Sequence, residues 1–146
     1  MNPEGGARFV HGHLGYLLVQ ANHALYKNFD SQVRAAGLSA IEWRVLATLQ
    51  DGPPLTVSQL AHEVLSKQPT VTKLVQRMAE QGWVQLRADR DDQRRTLVSA
   101  TAAGRKLVRP LLRKARAHES DVLRHLGSAE QAALRKLLAK LARATP

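Results

Sequence analysis

Cysteine is absent from this 146-residue chain. That excludes a disulfide framework, a thiolate zinc site and a thiol redox sensor. No apolar run is long enough to cross a bilayer. The opening stretch MNPEGGARFVHGHLGYLLVQ has no basic n-region and no small-residue cleavage site, so no signal peptide is expected and the cytoplasm is the default location. Catalytic signatures are missing as well. There is no Gly-rich phosphate loop, no GxSxG elbow and no carboxylate pair on an ordered element, so no enzyme activity and no cofactor are expected. Six histidines are present, but no HExxH and no tight His/Asp/Glu cluster accompanies them, and no metal site is expected. Acid is scarce. Twelve Asp and Glu stand against 22 Lys and Arg, for a net charge of +10. A surplus of that size favours a polyanionic partner, above all nucleic acid.

Aromatics are few at 4%, while Leu and Ala abound, which leans toward helices. One domain, or one domain with an added dimerisation part, fits the length. Val10, Leu14, Leu17, Leu18, Ala21, Leu25, Phe29 and Val33 recur at steps of three and four, which predicts one helix over about 10–36. Ser39 with Glu42 forms a capping box for a second helix, and Thr56 with Gln59 another for a short third. Ser66 is expected to cap a fourth, with Pro69 in its first turn and Val71, Leu74, Val75 and Met78 as its buried stripe.

The period then changes. Residues 83–87 (WVQLR) and 96–100 (TLVSA) alternate apolar and polar, which predicts a hairpin. Its tip packs six charges into Asp89–Arg95. Helical spacing returns after Thr101, with Pro110 expected to kink a long helix and Ser128 expected to cap a last one. Two helices joined by a tight turn and followed by a two-stranded hairpin read as a winged helix-turn-helix.

In that motif the second helix can lie in the major groove. Once its buried stripe is assigned, Lys67, Gln68, Thr70, Thr72, Lys73, Gln76 and Arg77 are free, and no acid occurs between Val64 and Ala79. Gln can read adenine edges, and Lys or Arg can read guanine or clamp phosphate. At the hairpin tip, Arg87, Arg90, Arg94 and Arg95 suit a narrow minor groove, where negative potential concentrates. Asp89, Asp91 and Asp92 are each expected to pair with an arginine and hold the tip in shape. The same arginines rule out a magnesium site at these aspartates by repelling a cation.

The segments LAHEVLSKQPTVTKLVQRMAEQGWV (60–84) and RADRDDQRRTLVSATAAG (87–104) resemble the MarR (multiple antibiotic resistance regulator) family of winged-helix repressors, and the likeness runs over roughly residues 10–141. The family's wing pattern falls on Asp89, Asp92, Arg94, Leu97, Val98, Thr101 and Gly104. The chain departs from it at Ala100, where leucine is usual, at Arg90, where proline is common, and at Arg95, an added arginine. The resemblance implies a mainly α fold with a small two- or three-stranded β-wing, with N- and C-terminal dimerisation helices. It divides the chain into a dimerisation helix at 1–37, a DNA-binding domain at 38–102 and C-terminal dimerisation helices at 103–146. It implies a homodimer that binds a pseudo-palindromic double-stranded operator and acts as a ligand-responsive repressor. Arg94 would enter the minor groove, Asp92 would orient a nearby arginine, and Ser66 would join the recognition helix. It also implies a pocket for a small aromatic or phenolic effector, with His13, Tyr16, His23, Tyr26, Trp43 and Arg44 as candidate liners. The alternative reading is a basic protein that coats DNA without sequence preference. The basic run at 105–116 is open to two readings, backbone contact or solvent-facing charge.

Overall fold

A computed structural model describes residues 8–144. Among the described residues there are seven α-helices and one three-stranded antiparallel sheet. The described residues fall into two compact units. One is residues 28–114; the other combines the segment up to Lys27 with the segment from Ala115 onward.

Within the 28–114 unit, α2 (Phe29–Ala35), α3 (Ala40–Leu49), α4 (Val57–Glu63) and α5 (Gln68–Glu80) precede the hairpin β2 (Val84–Ala88) and β3 (Thr96–Ala100). Both capping boxes form as the sequence predicts. The Ser39 and Thr56 hydroxyls accept the Glu42 and Gln59 backbone N–H groups, and those side chains accept the cap N–H in return. A short strand β1 (Leu55–Thr56) adds to the outer edge of β3. In the register Val84 faces Ala100 and Leu86 faces Val98, so the alternation read from sequence puts one row of side chains into the core. Leu46, Leu60, Val71, Val75, Met78, Val98 and Val108 are among the most buried members of that core.

Three expectations are corrected, at Asn28, Ser66 and Ser128. The helix read over 10–36 is interrupted. A 3₁₀ turn (Phe9–Gly12) leads into α1 (Leu14–Tyr26), and Asn28, at φ +67°, separates α1 from α2. Asparagine tolerates that left-handed conformation better than most residues, so apolar spacing continued through a break that periodicity does not register. Ser66 does not cap α5. Lys67 holds the cap position without a side-chain bond, and Ser66 lies in the preceding turn. Pro110 lies inside the long C-terminal helix. The helix α6 runs continuously from Ala102 to Leu123 through it.

The last helix, α7 (Ser128–Ala144), starts at Ser128 instead of being capped by it. The Gly127 N–H donates to the Glu130 carboxylate in the cap role. In the other unit neither α1 nor α7 buries a residue. Arg135 of α7 pairs with Glu119 of α6 at 2.5 Å, and the Gln131 amide donates to the Leu123 and Leu126 carbonyls at the end of α6.

Candidate nucleic-acid interface

Helix α5 separates its faces sharply. Val71, Leu74, Val75 and Met78 are buried, while Lys67, Gln68, Thr70, Lys73, Gln76 and Arg77 are exposed. Thr72 is half-buried, and its hydroxyl donates to the Gln68 carbonyl at 2.9 Å. The sequence-predicted recognition residues on α5 therefore share one wet face, with Lys67 at the cap and Ser66 in the preceding turn.

The wing is shaped by one carboxylate. The Asp92 Oδ1 atom accepts the Arg94 backbone N–H at 3.1 Å and Nε at 3.0 Å, and Oδ2 accepts a terminal guanidinium nitrogen at 3.2 Å. Arg95 approaches the same carboxylate at 3.7 Å. This two-point clasp holds an Arg94 side chain that is 91% exposed. The Arg94 side-chain hydrogen bonds lower the Asp92 pKa most, followed by its backbone N–H, and the Arg95 charge adds to them.

The expectation that all three aspartates pair with arginines is corrected. Asp89 accepts the Asp91 backbone N–H at 3.0 Å and so shapes the turn, and among the described residues the wing's ion pairs all use Asp92. An aspartate two residues from a backbone N–H competes well for it, which charge pattern alone does not reveal. Arg87 and Arg90 are exposed.

Between the first turn of α4, the first turn of α5 and the wing lies a cleft of about 440 Å³. Ser58, Gln68, Thr72, Arg94, Arg95 and Thr96 are among its lining residues, and no carboxylate is. The group suits a sugar-phosphate strand passing between a helix in the major groove and a wing in the minor groove. Sequence reasoning missed Ser58 and Thr96, which only the tertiary structure brings beside Gln68.

The wing returns to α6 through a tight joint. The Thr101 hydroxyl donates to the Gly82 carbonyl at 2.6 Å and accepts the Gly104 N–H at 3.0 Å. Thr101 is thus the cap, and Gly104 is the third residue of α6. A Cβ on Gly104 would sit 2.1 Å from the Trp83 carbonyl oxygen.

A second cleft, of about 610 Å³, lies between α2 and α6. Trp83, Leu107, Pro110 and Leu111 supply apolar lining, with Lys106 and Lys114. Gln32 also lines it, and its Oε1 is buried and accepts no hydrogen bond from the described residues. Of the effector candidates read from sequence, His13, Tyr16, His23 and Tyr26 belong to the unit holding α1, and Trp43 and Arg44 to the other. The Trp43 ring packs edge-on against Phe29 at 5.1 Å, Arg44 donates to the Val64 carbonyl, and the His13 ring tilts against Phe9. In the basic run, Arg105 donates to the Gln50 carbonyl at 3.3 Å, while Lys106, Arg109, Arg113, Lys114 and Arg116 are exposed.

A MarR family profile matches residues 36–95, from just before α3 to the end of the wing tip. The HTH-type transcriptional regulator YwoH of Bacillus subtilis is 30% identical over 98 residues, 67% of this chain and 72% of that one. The solved structure of a MarR family transcriptional regulator from Silicibacter pomeroyi is 37% identical, with a TM-score of 0.78 over 92% of this chain and 99% of that one. The chain belongs to the MarR family. Its relatives are transcriptional regulators, not enzymes, and the winged helix-turn-helix is the fold they share. Another MarR-type fold, the structure of NadR in complex with 4-hydroxyphenylacetate, is 26% identical with a TM-score of 0.84 over 97% of this chain and 100% of that one. Among the described residues of this MarR chain, no helix is long and apolar enough to cross a membrane, and no cluster of three potential metal ligands occurs.

Proposed function

We propose that this chain is a sequence-specific repressor that binds a pseudo-palindromic operator as a homodimer and releases it on binding a small hydroxylated aromatic acid. The observation that carries the DNA reading is the clasped, outward Arg94 beside the acid-free face of α5. A wing cation held in shape is suited to a narrow minor groove. Gln68, Thr70 and Gln76 add base-competent groups that a coating protein would not need. The DNA contacts proposed are Lys67, Gln68, Thr70, Thr72, Lys73, Gln76 and Arg77 on α5, and Arg87, Arg90, Arg94 and Arg95 on the wing, with Asp92 positioning Arg94 and Arg95.

The dimer reading is supported by the apolar stripe Leu134, Leu137, Leu138 and Leu141, exposed along one face of α7, and by exposed Leu14, Leu17 and Leu18 on α1. The cytoplasm is the compartment that this reading requires. For the effector, the cleft between α2 and α6 offers an apolar wall, two lysines for a carboxylate and an unsatisfied Gln32 oxygen for a hydroxyl. NadR has been crystallised with an acid of this class. His13, Tyr16, His23 and Tyr26 in one unit, and Trp43 and Arg44 in the other, are the candidates that the family resemblance offers, each for its own unit.

The test is selection of bound duplexes from fragmented genomic DNA at low and physiological salt. A recovered palindrome that survives higher salt is the expected result. Arg94→Ala is expected to weaken that duplex about 10–100-fold. Recovery with no shared motif, lost as salt rises, would mean phosphate-driven coating. With the selected duplex in hand, 4-hydroxyphenylacetate serves as the first probe for release.

A further inference from the structure

The chain ends three helices with the same hydrogen-bonded turn. After α2, Gly37 N–H donates to Arg34 and Leu38 N–H to Val33, at 2.9 and 3.2 Å. After α5, Gly82 donates to Ala79 and Trp83 to Met78, both at 3.0 Å. After α4, Leu65 donates to His62 and Ser66 to Ala61, at 3.3 and 3.0 Å. The first residue of each pair is left-handed, with φ of +85°, +81° and +56°. That position favours glycine, because a Cβ there crowds the following carbonyl. The next residue is commonly apolar and packs back on its helix. Two of the turns follow both rules, with glycine and then buried Leu38 or half-buried Trp83. The third inverts both, with leucine in the strained position and serine after it.

Leu65 gains nothing from the fold in return. Its side chain is 85% exposed, the most of any large apolar residue described. A single exposed leucine needs no explanation. One that is exposed and also held at positive φ does, because stability favours glycine there on both counts. Its place is informative. It lies two residues before Lys67, the cap of α5, and shares a shallow cleft with His62, Lys67 and Thr70. Two of those three belong to the proposed DNA face.

We propose that Leu65 is a DNA contact, packing its side chain against an apolar group of the operator at the mouth of the major groove. This rests on the DNA-binding reading above. Double-stranded DNA offers two such groups near a recognition helix, the thymine 5-methyl and the carbon face of deoxyribose. Either would bury the leucine that the fold leaves in water.

The experiment uses the full chain and the duplex selected by the wild type. Leu65→Gly and Leu65→Asn both suit a left-handed residue and remove the apolar side chain. Leu65→Gly is expected to raise Tm by roughly 2–4 °C as strain is relieved. Both variants are expected to lose about tenfold in affinity for the selected duplex, and Leu65→Met, which keeps an apolar side chain, to stay near wild type. Repeating the measurement with deoxyuridine for thymine separates the two groups: a loss confined to the wild type and Leu65→Met assigns the methyl, and no loss assigns the sugar. If Leu65→Gly and Leu65→Asn bind the duplex as the wild type does, the inference falls and the DNA reading stands. If the wild type selects no duplex, both fall together.

Discussion

Asp92 is the residue on which the wing's geometry turns. Arg94 is nearly all in solvent, and an unheld arginine there would sample many rotamers that miss the groove. Replacing Asp92 by alanine is expected to lower affinity for the selected duplex about two- to fivefold, the size of an exposed charge pair, with little change in Tm. The carboxyl is held below its ordinary value of 3.8 by Arg94's bonds first. A group whose pKa is lowered on folding stabilises the folded form above its unfolded value. Order in the wing is therefore expected to be full above pH 3.8 and to fade as the pH falls through the lower folded value. An NMR titration of the Asp92 carboxyl checks this: it should titrate below 3.8 and move back toward 3.8 in Arg94→Ala. The role of Asp92 was legible from the resemblance of the wing to the MarR pattern. That Asp89 would bind a backbone N–H instead of an arginine was not, because both partners lie within reach of a short side chain.

Among the elements, the joint between wing and α6 ties the hairpin to the core. One hydroxyl, on Thr101, caps α6 and bonds the Gly82 carbonyl in the turn after α5. Thr101→Ala removes both links and is expected to cost about 1–2 kcal/mol, read as a lower urea midpoint. Gly104→Ala pushes a methyl into the Trp83 carbonyl and is expected to cost about 3 kcal/mol, since backbone on both sides leaves little room to yield. The two capping boxes and the hairpin were legible because each depends on residues within a few positions. The break at Asn28 was not, because the apolar spacing of 10–33 continues through it. Strand β1 was not either, because two residues carry no alternation, and their pairing with Val98 and Leu97 spans some forty residues of chain.

For the whole molecule the decisive quantity is apolar surface. Leu134 and Leu137 are exposed on α7, and Leu137 is 57% exposed. Under the dimer reading a second copy covers them. The double variant Leu134→Lys, Leu137→Lys is expected to sediment as a monomer where the wild type sediments as a dimer. Two charges placed in an apolar contact raise the dissociation constant by about two orders of magnitude or more. Loss of the dimer should take specific DNA affinity with it, because a palindrome rewards two linked half-site contacts. A wild type that sediments as a monomer at micromolar concentration would overturn this reading.

Helix periodicity, the two capping boxes, the hairpin alternation and the order of charges in the wing were all determined by the sequence alone, because each arises between near neighbours in the chain. The tertiary structure decided what depends on distant segments meeting. It set Ser58 and Thr96 beside Gln68 and wedged Gly104 against Trp83. It also showed Leu65 standing in water at a left-handed turn where the chain elsewhere uses glycine. A backbone angle and the exposure of a side chain are properties of the folded molecule, and no local pattern in the letters carries them.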